Sequence, residues 1–214
     1  MTWRLQSARS ENLTPSPVDG PILRGAPLSL KRFLQLRDLT SPEIEMLLQP
    51  KLEILKDPFT LKNMNVAVRR MITAFQQQQK IAVYGDFDLD GTCGLVLLTE
   101  GFRQLGFQNV TPVQPRRLKE GYGFHQSLAQ ELVDLGVQVI VTVDVGITAV
   151  ETVEWLNQQG VDVILTDHHL PGPELPKAFA IVNPNQGGCP SELGYLSGSG
   201  VGLYLLRALK SAFV

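Results

Sequence analysis

Cysteine is nearly absent from these 214 residues: there are two, Cys93 and Cys189, and no Cys-x-x-Cys pair. That excludes a disulfide framework and a cysteine metal knuckle, and it fits a reducing compartment. Neither sign of charge is in excess. A formal net charge of -2 leaves no global field toward nucleic acid or anionic membrane, so a polyanion partner needs a local basic patch. No apolar run approaches the ~20 residues of a membrane-spanning helix. Residues 1–13 carry no apolar signal region, so no membrane anchor or secretory signal is expected and the protein reads as cytoplasmic. Internal repeats and low-complexity tracts are also missing.

What is present is the composition of a folded protein, 43% hydrophobic and 19% charged, long enough for one substantial core with a small appendage. Residues 1–27 are rich in Ser, Pro, Asn and Gly and read as an extended arm. Apolar positions over 29–50 suggest one or two short helices, with Ser41 as N-cap and Pro42 in the first turn. Met64, Ala67, Val68, Met71, Ile72 and Phe75 recur at three and four residues, giving a helix with one apolar face.

From Lys80 the pattern alternates between strand and helix. Strands are predicted over 81–85, 110–113, 139–143, 161–166 and 180–182, and helices over 92–105, 125–135, 148–159 and 200–213. This alternation predicts an α/β fold, a Rossmann-like, mostly parallel sheet with helices on both faces. The division expected is an N-terminal helical arm over 1–60 and an α/β domain over 61–214.

Three of these strands end on acidic or imidazole side chains. Val83-Tyr84-Gly85-Asp86 leads into Asp88 and Asp90, Thr142-Val143 into Asp144, and Leu165-Thr166 into Asp167, His168 and His169. Ligands of open parallel sheets sit at the carboxyl ends of strands, so these groups should meet at one rim. Carboxylates crowded in this way repel one another unless cations neutralise them. A divalent metal site, for two ions, follows. Carboxylates with neutral imidazole suit Mn²⁺, and the carboxylate majority also suits Mg²⁺.

Rival readings of the first loop are weaker. Asp86-x-Asp88-x-Asp90-Gly91 opens like an EF-hand, but position twelve is Leu97 where a Glu is needed, and a strand precedes the loop. A dinucleotide site would need Gly-x-Gly-x-x-Gly, which is lacking. Asp144 by itself could equally be a turn or capping residue; Thr148, the better N-cap candidate, leaves it free for the rim. Adjacent histidines diverge, so one should ligate and the other face substrate or support the site. His125 reads as a surface or helix-start residue. The basic cluster Arg116, Arg117 and Lys119 is either a solvated loop or a phosphate contact.

With these residues in view, the chain resembles the DHH phosphoesterase superfamily and, within it, the RecJ-type single-strand-specific DNA exonucleases, over about residues 21–213. The markers are Val83-Tyr84-Gly85-Asp86-Phe87-Asp88-Leu89-Asp90-Gly91, Arg117-Leu118-Lys119-Glu120-Gly121-Tyr122-Gly123, Val143-Asp144-Val145-Gly146-Ile147, Asp167-His168-His169, Asn183-Pro184-Asn185 and Gly198-Ser199-Gly200-Val201-Gly202. The resemblance implies that Asp88, Asp90, Asp144 and His168 bind the ions, with Asp86 a further ligand or an orienting group. It implies that His169 contacts the scissile phosphate, that Asp167 positions the histidine pair, and that Arg117 holds substrate phosphate. Asp88, Asp90, Asp144, His168 and His169 would form the catalytic set.

The implied activity is 5′→3′ hydrolysis of single-stranded DNA in repair or recombination, with repair proteins as partners. Two alternatives remain: a DHH enzyme on short oligonucleotides or small phosphoanhydrides, and a non-catalytic metal- or nucleic-acid-binding remnant. Val145, Leu89 and Cys93 depart from the family's usual residues without removing a ligand. Family members continue to a further metal-binding aspartate, a second domain and an OB-fold that these 214 residues do not include. The chain therefore matches the N-terminal catalytic portion, and low turnover is expected of it alone.

Overall fold

The computed structural model describes residues 23–37 and 39–213, which form two compact units, Met1–Lys56 and Asp57–Val214. The expected extended arm lies outside the described residues as far as residue 22. In the first unit, helices α1 (Leu28–Gln35) and α2 (Ser41–Leu48) close over a small apolar cluster of Leu23, Leu34 and Ile44. The cap of α2 is Thr40, one residue before the expected Ser41. Its backbone N–H donates to the Glu43 carboxylate at 2.7 Å, one half of a reciprocal capping box between Thr40 and Glu43.

The second unit begins with helix α3 (Met64–Gln76) and then alternates: β1 (Ile81–Gly85), α4 (Leu89–Gln104), β2 (Val110–Val113), α5 (Gln126–Asp134), β3 (Val139–Val143), α6 (Val150–Gln158), β4 (Asp162–Thr166), β5 (Ala180–Val182) and α7 (Gly198–Ala212). The five strands form one parallel sheet in the order β2-β1-β3-β4-β5. The expected fold class is therefore present. Central strands of such a sheet are covered on both faces, which is why β1 and β3 are apolar throughout and wholly buried.

One layer packs Ala82, Tyr84, Ile140, Val163 and Leu165 against Leu132 of α5 and Val153 and Leu156 of α6. On the other side α4 and α7 pack on each other and on β3. Their approach requires small residues. A Cβ on Gly94 would collide with the Val143 side chain, and one on Gly101 of α4 would stand 2.5 Å from the Leu206 side chain of α7.

Three helix starts differ from expectation by two residues or more. Helix α4 begins at Leu89 rather than 92, because the Asp88 side chain accepts the Gly91 N–H at 2.9 Å and caps the helix there. Helix α7 begins at Gly198, capped by Ser197. Helix α6 begins at Val150 with Ala149 at the cap position, so Thr148 is not its N-cap. Among the described residues no helix is long and apolar enough to cross a membrane.

Candidate metal centre

The strand order places a reversal between β1 and β3: the chain leaves β1 for β2 on one side and returns to β3 on the other. Crevices of this kind are where open α/β sheets hold ligands. Register then decides which residues face each other across it. Gly85 pairs with Val143, Val143 with Thr166, and Thr166 with Val182. The next residue on each strand is therefore Asp86, Asp144, Asp167 and Asn183, a polar row along the rim. Backbone bonds continue the ladder into that row, from Asp86 N–H to Val143 O, Asp144 N–H to Thr166 O and Asp167 N–H to Val182 O.

Asp144 lies at the middle of the row and is 2% exposed. Its φ of 65° is left-handed, a conformation that Asp tolerates better than most residues. A Cβ on Gly198 would strike Asp144, so the start of α7 is pressed against this carboxylate. Asp144 Oδ1 is buried with no hydrogen-bond partner. His168 Nε2 lies 3.1 Å from that oxygen, outside hydrogen-bond geometry, and 3.8 Å from Asp90 Oδ2. Burial, then repulsion from Asp90 and Asp88, pushes the Asp144 carboxyl up to about 8.

The first loop divides its three aspartates among different tasks. Asp86 is buried, accepts the Phe87 N–H at 2.6 Å and is raised by burial despite that bond. Asp88 caps α4 through one oxygen. Asp90 reaches across to α7, accepting the Gly198 and Ser199 N–H groups at 2.7 and 2.9 Å. Burial would raise its pKa, but the bonds from Ser199, Gly198 and Ser197 outweigh it and hold the carboxyl below its ordinary value.

Asp167 organises the histidines. One oxygen accepts the His169 ring at 2.8 Å and the N–H groups of His168 and His169, while the other accepts the Ile147 N–H at 2.9 Å. Burial again opposes ionisation, and these bonds prevail, so Asp167 is lowered. His169 is raised to about 9, chiefly by its bond to Asp167. Its side chain is exposed, and with Nδ1 bonded to Asp167 the other ring nitrogen, Nε2, is left without that bond.

Every predicted acidic and imidazole residue thus reaches one rim. Donor atoms of Asp144, His168 and His169 lie within 4.8 Å of one another. These features fit a divalent cation: a buried carboxylate oxygen without a donor, an imidazole nitrogen beside it, and carboxylates whose mutual repulsion an ion would relieve. Arg117 is not in this cluster. Its guanidinium carbon lies 5.7 Å from the Phe87 ring centroid, while Lys119 pairs with Glu120 at 2.9 Å. His125 precedes α5, contacts Gly121 O and is not among the clustered donor atoms.

Two supporting residues appeared in the sequence reading only as markers of the resemblance, with no role assigned. Asn183, fully buried, donates to the His169 carbonyl at 2.9 Å, and Asn185 donates to the His168 carbonyl. The Asn183 side-chain oxygen also accepts the Asn185 N–H at 2.8 Å. Together they clamp the histidine backbone. The signal was available, since Asn183 follows a strand just as the three aspartates do.

Comparison with known proteins gives a consistent picture. Residues 80–213 match the model of the DHH family, N-terminal domain. The single-stranded-DNA-specific exonuclease RecJ of Bacillus subtilis is 40% identical over 212 residues, 98% of this chain and 26% of that protein. The protein of that name from Haemophilus influenzae is 40% identical over 162 residues, 76% of this chain and 28% of its own length. The chain thus spans about a quarter of these curated relatives. A crystal structure of exonuclease RecJ bound to manganese superposes with a TM-score of 0.65 at 36% identity, covering 71% of this chain and 38% of that one. RecJ from Thermus thermophilus in complex with Mn²⁺ gives 0.62 at 32% identity, covering 76% and 22%.

Proposed function

The chain belongs to the DHH family, N-terminal domain, and on that footing we propose that it is the metal-dependent catalytic portion of a 5′→3′ exonuclease acting on single-stranded DNA in repair or recombination. The observation that carries this reading is the unpartnered, buried Asp144 Oδ1 with His168 Nε2 at 3.1 Å and Asp90 converging on both. Relatives named as single-stranded-DNA-specific exonucleases, and a RecJ structure bound to manganese, support it. The reading places the protein's work in the cytoplasm, with repair and recombination proteins as candidate partners. The domain division proposed, an arm to residue 60 and a DHH domain over 61–214, keeps every site residue in the second part.

The ions proposed are two Mn²⁺ or Mg²⁺, held by Asp86, Asp88, Asp90, Asp144 and His168. Such ions, when bound, supply hydroxide from water near neutral pH and stabilise charge on the attacking and leaving oxygens. The chain's residues do the rest. Asp88, Asp90, Asp144, His168 and His169 form the proposed catalytic set. His169, held cationic and oriented by Asp167, presents Nε2–H to a non-bridging oxygen of the scissile phosphate. Arg117, on the neighbouring loop, takes an adjacent substrate phosphate. Asn183 and Asn185 fix the backbone from which both imidazoles project.

The metal assignment is tested by thermal unfolding. Mn²⁺ is expected to raise the melting temperature, and Asp88→Ala or Asp144→Asn to abolish the gain. An equal rise in all three proteins would remove the assignment. Substrate class is tested by comparing long 5′-phosphorylated single strands with dinucleotides and pyrophosphate. Preferential hydrolysis of the small substrates would replace this reading with a small-substrate phosphodiesterase.

A further inference from the structure

We infer that Gln114 is a positioning residue for the proposed ion site, acting through the peptide unit that carries Asp86. This rests on the metal reading above and adds what holds the first acidic loop in shape. Strand β2 ends on neither an acid nor an imidazole, so it adds nothing to the row of Asp86, Asp144, Asp167 and Asn183. Register places its end beside that row all the same. Tyr84 pairs with Val113, so Gln114 is the first residue past the paired stretch, level with Gly85.

The Gln114 side chain reaches the loop at two points. Its amide nitrogen donates to Asp86 O at 2.6 Å and to Thr92 Oγ1 at 2.7 Å. A side-chain amide nitrogen carries two hydrogens, so one group makes both bonds. Asp86 C=O and Phe87 N–H belong to a single planar peptide unit. Gln114 holds the oxygen end of that plane. The Asp86 carboxylate holds the nitrogen end, accepting the Phe87 N–H at 2.6 Å. Turning the plane would break both bonds and redirect the carboxylate of a proposed ion ligand.

The Asp86 carbonyl is confined from another side as well. A Cβ on Gly91 would collide with it, and the Gly91 N–H is itself bonded to Asp88 Oδ1 at 2.9 Å. Thr92, in the first turn of α4, donates its N–H to Asp88 O at 2.9 Å. One side chain therefore staples the end of β1 to the start of α4, across the segment that holds Asp86, Asp88 and Asp90. The staple is stiff. Gln114 is half-buried and precedes the buried Pro115, and a residue before proline is held to extended backbone. Its contact is made through an N–H donor, which an ion cannot accept, so Gln114 supports a ligand and is not one.

The test titrates Mn²⁺ into the full 214-residue chain and follows the bound ion by electron paramagnetic resonance. Gln114→Met keeps the length of the side chain and loses the donor; it should weaken Mn²⁺ binding about tenfold. Asp86→Asn should weaken it too. In that background Gln114→Met should add no further loss, because a residue acting through Asp86 has no carboxylate left to position. Thr92→Ser, which keeps the hydroxyl, should match wild type, and Thr92→Val should fall between wild type and Gln114→Met. A general role in folding would instead give an equal loss in both backgrounds. That result, unchanged affinity in Gln114→Met or in Asp86→Asn, or Thr92→Ser as weak as Thr92→Val, would overturn the inference and leave the metal reading standing. If wild type binds no Mn²⁺, the metal reading falls and this inference falls with it.

Discussion

At Asp144 and Asp88, two carboxylates of one site should respond to substitution with opposite signs. Asp144 is buried and raised by its neighbours, so ionising it destabilises the metal-free fold. Asp144→Asn keeps the shape, tolerates the left-handed φ and removes the charge. Its metal-free melting temperature should rise at pH 8.5. Asp88→Ala removes a helix cap worth about 1 kcal/mol and should lower it by roughly 2–4 °C. Calorimetry of both variants in EDTA checks the pair of signs.

Asp144 and His169 set a pH dependence. Asp144 is raised to about 8 and His169 to about 9 in the folded state, so the native protein binds more protons than the unfolded chain across that interval. Stability then falls as pH rises, from about pH 4 through 8 for Asp144 and from about 6.5 through 9 for His169. Asp167 and Asp90, both lowered, act in the opposite sense and only in acid. Melting temperature in EDTA should therefore decline between pH 6 and 9. Saturating Mn²⁺ should flatten that decline, because an ion replaces the protons.

At the scale of elements, the site depends on helix and loop ends that bear no proposed ligand. The start of α7 presses on Asp144 and donates two N–H groups to Asp90. Gly198→Ala should displace Asp144 and weaken Mn²⁺ binding, as titration calorimetry would show. Asn185→Ala frees the His168 carbonyl while leaving the sheet intact. It should lower Mn²⁺ affinity by roughly 10–100-fold, as loss of a group supporting a ligand does, with a smaller effect on melting temperature. Unchanged affinity in Asn185→Ala would make the clamp a matter of folding alone.

For the whole molecule, a net charge of -2 and an acidic rim oppose DNA binding unless cations intervene. Binding of a 5′-phosphorylated single strand, followed by fluorescence anisotropy, should be at least tenfold tighter in Mn²⁺ than in EDTA. Asp144→Asn should narrow that difference. Equal affinity in both buffers would place the DNA away from the rim.

Much of this was legible in the linear chain because the physics is local. A strand buried on both faces must be apolar throughout, so Ile81–Gly85 and Val139–Val143 announced themselves, and so did the aspartates that ended them. Helix starts were less legible. Asp88 rather than Thr92 opens α4, and Ala149 rather than Thr148 precedes α6, since a cap is decided by which side chain the turn leaves within reach.

The chain order alone determined an α/β protein with acids and imidazoles at strand ends. Only the tertiary structure decided the strand order that puts β1 beside β3, and the register that lines Asp86, Asp144, Asp167 and Asn183 along one rim. It alone turned Asp90 onto a helix 108 residues away. Periodicity records which face of an element is buried; it carries no information about which distant element covers it.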